Sequence, residues 1–346
     1  MVSAPEPPAI TPLAGEPIAG EPIAGEPIEP IPGSSLEPQQ AVVPVLEAHA
    51  ARITVDDVVA VDALTITSRG ARVLFVGDAT ALFAVLTGVP LAARVGAHDP
   101  GVPAGDARVV AGTLLVAGRD VARGAHVAIV GSAPLDPPLP VAWTVDQYVT
   151  WSARLAGAPP PLAKQLAGAA LAKVGLGTSR DRMVRVLALP ERRALLLASA
   201  VVMSPTVIIA EAPLAGLEGT AAAFVMNAVA RVTEGRASIL SATRFDPGTA
   251  EGALARAATD VLVVSGGAVI LDGSAAEVFA GARIYTLTVR TNPEPLRAEL
   301  LVRGIELRGG PLRFSAALPP GASTHEILAA AAAARASIVE LIPLLG

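Results

Sequence analysis

The run ALLLASAVVMSPTVIIAEAPLAGL, from Ala194 to Leu217, is the longest apolar stretch of the sequence and its strongest fold signal. Its length matches a membrane span, but Pro205, Glu211 and Pro213 interrupt it. A buried helix, a turn at residues 204–205 and a buried parallel strand explain the run better, because strands covered on both faces are continuously apolar. The sequence therefore predicts no transmembrane segment here.

Composition restricts the class of protein. A chain of 346 residues, 52% of them hydrophobic, is sufficient for one large domain or two smaller ones. The formal net charge of −5 lacks the basic excess that nucleic-acid binding requires, so no nucleic-acid partner is expected. The absence of cysteine excludes disulfides, thiolate metal sites and cysteine nucleophiles, which is typical of a cytoplasmic protein. The N-terminus lacks the basic start and apolar run of a secretory signal.

Residues 1–48 differ in composition from the rest of the chain. They contain the repeat AGEPIAGEPIAGEP, in which proline removes backbone donors and glycine adds chain entropy. Neither a regular ladder nor a packed core is expected from such a repeat, so the segment is predicted to be an extended, mobile tail. A linker and a recruiting segment are both compatible with this composition, and a linker is its commoner meaning.

Residues 49–282 alternate between short β-rich segments and longer helical ones. The β-rich segments are ARVLFVG, HVAIVG, TVIIAEA, ASILSAT and DVLVVSGGAVILDG. Strands of about four to six residues between helices of about ten or more predict a mostly parallel sheet covered by helices, an α/β fold. Ligands of such sheets bind beyond the carboxyl ends of the strands, so functional residues are expected directly after them.

Residues 283–346 predict a second, smaller unit. Strand-like YTLTVR, GIELRGG, PLRFSAAL and SIVELIPL alternate with a helix that begins near Pro293 and another from Ser323 to Ala334. The order β-α-β-β-α-β is that of a ferredoxin-like α+β module. The segment STHE has a capping residue and a glutamate at capping-box spacing, which indicates a helix start.

Three longer stretches carry a family resemblance. They are WTVDQYVTWSARLAGAP (143–159), KVGLGTSRDRMVRVLALPERRALLLASAVVMSPTVIIAEAPLAGLEG (173–219) and DVLVVSGGAVILDGSAAEVF (260–279). In order and spacing they resemble the nucleotide-binding subunit of an ABC transporter: its helical subdomain, its signature helix with the second nucleotide-binding strand and D-loop, and its closing hairpin. The resemblance implies a P-loop-NTPase-like sheet, a helical subdomain at about residues 140–200, an exporter-type C-terminal accessory domain, and Mg-ATP as the family's cofactor.

The family's P-loop, G-x-x-x-x-G-K-[ST], wraps phosphates with backbone N–H groups, while lysine neutralises charge and the hydroxyl holds Mg²⁺. Here VLFV is followed by Gly77, Asp78, Ala79 and Thr80. The loop is about four residues short and lacks the second glycine and the lysine. Asp78 also brings negative charge to the phosphate position. The resemblance therefore predicts a degenerate nucleotide-binding site at Gly77, Asp78 and Thr80.

Family members have a metal-binding aspartate followed by a glutamate general base, as DEP ahead of AGLD. Alignment on Pro213 puts Glu211 at the metal position and Ala212 at the base position. Alanine accepts no proton, so general-base assistance of about 10²- to 10⁴-fold is lost. A shift of one residue makes Glu211 the base but leaves Ala210 at the metal position. Both alignments lose one carboxylate, and a solvated or capping role for Glu211 is equally compatible.

Further positions also depart from the family pattern. Arg244 in ILSATRFD takes the place of a γ-phosphate-contacting histidine, whose hydrogen-bonding role a fixed cation does not share. Ser132 in AIVGSAP takes the glutamine position and is too short to reach both metal and water. Glu218 replaces the D-loop aspartate, with a favourable helix N-terminal charge as its alternative role. The signature L-S-G-G-[EQ] is replaced by Leu187, Ala188, Leu189, Pro190 and Glu191.

Aromatic residues concentrate at the start of the implied helical subdomain. Trp143, Tyr148 and Trp151 lie in the part that faces the permease in the family, where they fit contact with a partner's coupling helix. Packing under the helix is equally compatible, because only Tyr148 and Trp151 have same-face spacing. His98, His126 and His325 share no ligand spacing and are expected to be exposed, so no metal site is predicted.

These losses predict a degenerate ABC-type ATP-binding subunit, a pseudo-ATPase with no required cofactor and at most weak Mg-ATP binding. The expected partners are a membrane permease subunit and a second, intact nucleotide-binding subunit. The expected location is the cytoplasm, peripheral at the inner face of the cell membrane. Three alternatives stay open: an active but atypical transporter ATPase, a scaffold or regulatory module unrelated to transport, and an unrelated α/β protein.

Overall fold

The computed structural model describes residues 43–91, 105–244, 248–280, 283–309, 312–319 and 321–345. The first 42 residues of the predicted tail and His98 lie outside this description. The end of the predicted tail belongs instead to the first strand, which starts at Leu46. Leu46 and Ala48 are both buried, which explains why the strand extends into a segment expected to be a tail.

Fourteen strands occur in the described residues. They are β1 Leu46–Val55, β2 Val58–Thr67, β3 Arg72–Gly77, β4 Ala107–Val116, β5 Arg119–Asp120, β6 Val130–Ala133, β7 Val207–Ala210, β8 Ala237–Ala242, β9 Asp260–Ser265, β10 Ala268–Gly273, β11 Arg283–Thr291, β12 Leu307–Gly309, β13 Arg313–Leu318 and β14 Ser337–Leu345.

Nine α-helices accompany these strands in the same described ranges. They are α1 Thr80–Thr87, α2 Val145–Leu155, α3 Pro160–Lys173, α4 Leu189–Val201, α5 Gly219–Thr233, α6 Ala250–Ala257, α7 Ala275–Ala280, α8 Pro293–Val302 and α9 Thr324–Ala334.

The central sheet confirms the predicted α/β architecture. Its strand order is β10-β9-β3-β8-β7-β6. Strands β9, β3, β8, β7 and β6 are parallel, and β10 pairs antiparallel with β9 as the predicted hairpin. The carboxyl ends of β3, β6, β7 and β8 therefore lie along one edge of the sheet, which we call the carboxyl edge.

The apolar run folds as a helix, a turn and a strand, as predicted. Helix α4 ends at Val201, Ser204 has a left-handed φ of 50°, and β7 follows. No helix within the described ranges is long and apolar enough to span a membrane.

A second, antiparallel sheet precedes and flanks the central one, and the sequence pattern missed it. Its order is β2-β1-β4-β5. Its buried face packs with α1 against one face of the central sheet, and the rings of Phe75 and Phe83 meet there edge-on at 5.9 Å. Helices α2 to α6 contribute to the core on the opposite face. The carboxyl edge is thus positioned between two packed layers.

The segment HVAIVG departs from its predicted strand. Ala125–Ala128 form a 3₁₀ turn, and β6 begins only at Val130. His126 in this turn is 3% exposed, so its predicted exposure is wrong. Its Nε2 lies 3.1 Å from the carbonyl oxygen of Leu86, and burial lowers the pKa of the imidazole. The contact with the end of α1 explains the turn.

The C-terminal sheet has the order β12-β13-β11-β14 with every pair antiparallel, which is the ferredoxin-like arrangement predicted from the element order. The predicted capping box at α9 is confirmed, since the Ser323 hydroxyl accepts from the His325 N–H and Glu326 accepts from the Ser323 N–H. Residues 281–282, where the domain boundary was placed, lie outside the described ranges.

Candidate functional site

The loop after β3 is short because α1 begins almost immediately. Only Asp78 and Ala79 lie between the strand and Thr80, the first helical residue. Gly77 has φ +102°, and a Cβ there would lie 2.2 Å from the Val264 carbonyl oxygen, so only glycine fits. The Asp78 carboxylate accepts the Thr80 N–H at 3.4 Å. The first helical N–H therefore faces a carboxylate of the chain itself.

An apolar side chain of the C-terminal sheet packs at the same place. A Cβ on Gly77 would lie 3.4 Å from Cδ1 of Leu344, which is 5% exposed. Leu344 and the neighbouring Ile284 belong to the same buried cluster as Val76 of β3. The ends of β11 and β14 therefore cover the carboxyl end of β3 with hydrocarbon.

Cations are sparse at the carboxyl edge. Both lysines of the sequence, Lys164 and Lys173, lie on α3, so none follows β3. Arg244 follows β8 and is exposed. Arg193, on α4, is 4% exposed and donates from Nη2 to Asp136 at 3.1 Å. Burial lowers the pKa of Arg193, while the nearby carboxylates of Asp136 and Glu211 oppose that shift.

Glu211 and Ala212 follow β7. Glu211 is 3% exposed, its N–H donates to the Ala133 carbonyl, and its Oε2 accepts the Leu135 N–H at 3.1 Å. Ala212 has a left-handed φ of 38° and donates its N–H to the Ser241 hydroxyl at 2.9 Å. The carboxylate is therefore bonded to the loop after β6, and the next side chain has no proton acceptor.

A void of about 10 Å³ lies between Arg193 and Glu211, at the lower limit for one water molecule. Nε and Nη1 of Arg193 have no hydrogen-bond partner among the described residues. The guanidinium joins α4 to the loops after β6 and β7, which are the positions where the family pattern has its signature, glutamine and metal residues.

The loop after β8 is bound by a glutamate from α6. Glu251 accepts the Thr243 N–H and hydroxyl through Oε1 and the Arg244 N–H through Oε2, each at 3.4 Å. Burial raises the pKa of Glu251, and these hydrogen bonds oppose the shift only in part. Nothing in the sequence pattern marked this residue as part of the edge.

Ser132 lies inside β6, paired with Ile209 of β7, and does not follow the strand. The strand ends at Ala133, and Pro134 comes next. The N–H of Leu135, in the loop that follows, binds Glu211.

The signature-like segment forms the start of α4. Leu187 is buried, Ala188 is the N-cap, and Leu189 and Pro190 begin the helix. Glu191 accepts the Ala188 N–H at 2.9 Å, so it caps its own helix. Partial burial acts to raise the pKa of Glu191, but hydrogen bonds from Arg182 and from the Ala188 N–H outweigh it and lower the pKa.

Glu218 is the exposed N-cap of α5, without a side-chain capping bond. This position fits the alternative role of a charge that is favourable at a helix N-terminus.

The aromatic residues form a partly exposed group at α2. Trp143 precedes the helix and meets Trp151 edge-on at 5.8 Å, a contact that helical spacing did not predict. Trp151 is 43% exposed and Leu155, one turn further, is 72% exposed. Tyr148 packs against the core, and burial raises the pKa of its hydroxyl. Trp143, Trp151 and Leu155 together are called the aromatic patch.

Carboxylates of the chain itself hold the loops of the carboxyl edge. Asp78, Glu211 and Glu251 each accept backbone N–H groups of the loops that end the strands. Within the described ranges, no group of three or more histidine, aspartate or glutamate side chains is arranged to hold a metal ion. The geometry suits holding the loops in place more than binding a phosphate.

Comparison with known proteins identifies relatives of this chain. No protein-family model matches it. The human protein "Phospholipid-transporting ATPase ABCA7" is 32% identical over 230 residues, which are 63% of this chain and 10% of that protein. The mouse protein "ATP-binding cassette sub-family A member 7" is 30% identical over 228 residues, again 63% of this chain and 10% of the relative. The chain thus spans about a tenth of the length of these curated relatives.

Solved structures show the same fold. Clostridium perfringens cbiO1, described as part of the ABC transporter complex cbiONQ, has a TM-score of 0.53 and 20% identity over 68% of this chain and 91% of its own. MJ1267, an ATP-binding cassette of an ABC transporter, has a TM-score of 0.52 and 16% identity over 67% and 91%.

Proposed function

Homologues and structural neighbours of this chain are ATP-binding domains of ABC transporters, and on that premise we propose that it is a degenerate member of this type, a pseudo-ATPase. Its role is structural: it holds and couples an intact ATP-binding subunit and a membrane permease, while ATP hydrolysis occurs elsewhere. The observation that carries the proposal is the closed end of β3, where two loop residues and Leu344 occupy the position of a phosphate loop.

The electrostatics of the carboxyl edge support the same proposal. A triphosphate approaching Gly77 meets Asp78 instead of a lysine, and the loop after β8 is already bonded to Glu251. A carboxylate near the phosphates repels them and weakens their binding. Backbone N–H groups that are already paired offer no compensating hydrogen bonds. Ala212, next to Glu211, supplies no general base.

The proposal is tested with purified protein and millimolar Mg-ATP. We expect no ATP turnover above buffer and no rise in Tm, because a ligand that binds only the folded state stabilises it. An intact ABC ATP-binding subunit in the same assay is the positive control. Arg244→Ala, which removes the exposed cation after β8, is expected to change nothing. If the natural protein is stabilised by ATP or hydrolyses it, and Arg244→Ala does neither, the protein is the active, atypical ATPase instead.

The partner part of the proposal rests on the aromatic patch. Exposed tryptophan and leucine on one helix surface are the side chains that dominate interface energetics when a partner covers them. We expect Trp151→Ala with Leu155→Ala to abolish co-purification with the permease from membranes of the native host. Leu328→Ala, which removes a 53% exposed leucine on α9, is the matched control and is expected to retain it. Equal co-purification of both variants would contradict the assignment of this surface.

A further inference from the structure

A cavity of about 360 Å³ lies at the opposite, amino edge of the central sheet, between α5 and α6. Its floor is formed by the first residues of β3 and by β8, and its sides by the last turns of the two helices. This volume is within the range of small-molecule sites, about 300–1,000 Å³. Because it lies at the amino ends of the strands, it is separate from the carboxyl edge and independent of the function proposed above.

The interior of the cavity is mainly apolar. Its walls are the side chains of Leu74, Met226, Val229, Leu240 and Leu254. Four of these are buried against the core, and Met226 is half-buried on α5. Methionine adapts its shape to irregular contacts, so this wall accommodates apolar molecules of different outline.

Two buried hydroxyl residues line this apolar space, Thr233 and Ser238, and the Thr233 hydroxyl donates to the Val229 carbonyl at 2.9 Å. Ser238 lines the cavity and is 1% exposed, and alternation along β8 puts its side chain on the same face as Leu240. Its hydroxyl makes no hydrogen bond among the described residues. A hydroxyl at the cavity wall gains a hydrogen bond when a ligand oxygen lies beside it.

Charges at the mouth of the cavity balance. Arg72 and Arg231 lie there with Glu234, and all three are exposed. The carboxyl ends of α5 and α6 meet at the same mouth, and each adds about half a negative charge. Two cations thus oppose one carboxylate and two helix ends, so the mouth favours neither an anion nor a cation.

From this combination we propose that the cavity binds a small, uncharged, mainly apolar molecule carrying one hydrogen-bonding oxygen that pairs with Ser238. The apolar walls supply the affinity and disfavour an unpaired charge, the balanced mouth compensates neither sign, and the serine sets the orientation.

The test uses the full chain and three probes of equal chain length: 1-octanol, octanoate and octylammonium. Calorimetry is expected to show saturable binding of octanol, and at least about tenfold weaker binding of both ions. Equal or tighter binding of either ion would overturn the proposal, as would the absence of saturable octanol binding.

Two variants locate the binding. Val229→Phe fills the cavity and is expected to abolish octanol binding. Ser238→Ala removes the hydroxyl and is expected to weaken binding by up to about tenfold, the effect of one hydrogen bond. Ser315→Ala, which deletes a buried hydroxyl in the C-terminal sheet, is the matched control and is expected to bind as the natural protein does. If Val229→Phe does not fold, Ser238→Ala decides alone, and unchanged affinity in that variant would reject the site.

Discussion

The two edges of the central sheet use carboxylates in opposite ways. At the amino edge, Asp260 of β9 accepts the N–H and Nε of Arg69, the Gly70 N–H and the Thr259 hydroxyl, all at 3.0 Å. Burial acts to raise the pKa of Asp260, but these hydrogen bonds outweigh it and lower the pKa. At the carboxyl edge, burial prevails and raises the pKa of Glu251.

The contrast teaches that the pKa of a partly buried carboxylate falls where its hydrogen bonds outweigh burial and rises where burial outweighs its hydrogen bonds. The loops of the carboxyl edge are bonded to carboxylates of the chain itself. Three substitutions sharpen or break the contrast.

The largest effect is expected at Arg193, which connects the helical layer to the carboxyl edge. Arg193→Ala removes the cation beside the buried carboxylate of Glu211 and unpairs Asp136, whose side chain is 40% exposed, so it is expected to lower the free energy of unfolding by about 3–5 kcal/mol. Urea denaturation measures the change. Arg192→Ala, on the neighbouring exposed position, is the control and is expected to cost less than about 1 kcal/mol. Similar losses in both variants would show that Arg193 does not act through the carboxylates of Asp136 and Glu211.

A smaller effect is expected at the amino edge. Asp260→Asn replaces an ionised acceptor and is expected to lower the free energy of unfolding by about 1–3 kcal/mol near neutral pH. Because the folded pKa of Asp260 lies below its unfolded value, its contribution is present above the unfolded pKa and is lost as pH falls through the folded pKa. The difference between natural and variant protein should therefore shrink in acid. Asp272→Asn, at an exposed position, is the control and is expected to change the free energy of unfolding by less than about 0.5 kcal/mol at neutral pH.

The smallest effect is expected at Glu251, with the opposite sign. Since its folded pKa is raised, its contribution is fully present below the unfolded pKa and is lost as pH rises through the folded pKa. Glu251→Gln keeps an acceptor for Thr243 and removes the charge, so it is expected to gain less than about 1 kcal/mol near neutral pH and nothing in acid. A loss of stability at neutral pH would mean that the ionised form is the one that holds the loop.

The central sheet was predictable because its signals are local. Continuous apolar segments such as 207–210 indicate strands buried on both faces, and Gly266–Gly267 between two such segments indicates a hairpin. The antiparallel sheet was missed because β4, ARVVAGTLLV, is largely exposed and Ala- and Gly-rich, which blurs its alternation. The 3₁₀ turn at His126 depends on a contact with α1, which no local pattern reveals.

For the carboxyl edge, residue identities were predictable but their contacts were not. The sequence shows that no lysine follows β3 and that alanine follows Glu211, and the family resemblance turns these residues into the prediction of a degenerate site. The hydrogen bond between Leu135 and Glu211 and the packing of Leu344 at Gly77 join residues far apart in sequence, and Glu251 reaches Thr243 from a different element. Such contacts are formed by tertiary packing, which a short sequence motif does not encode.

The packing of Leu344 against Gly77 also has a consequence for synthesis on the ribosome. Strand β3 is made early, yet the hydrocarbon that covers its end arrives only with β14. Until β14 has been made, the apolar surface beside Val76 stays exposed in the nascent chain. Chaperones bind exposed apolar surfaces of this kind, and aggregation starts from them. Translation must pass residue 344 before the core of the central sheet is complete.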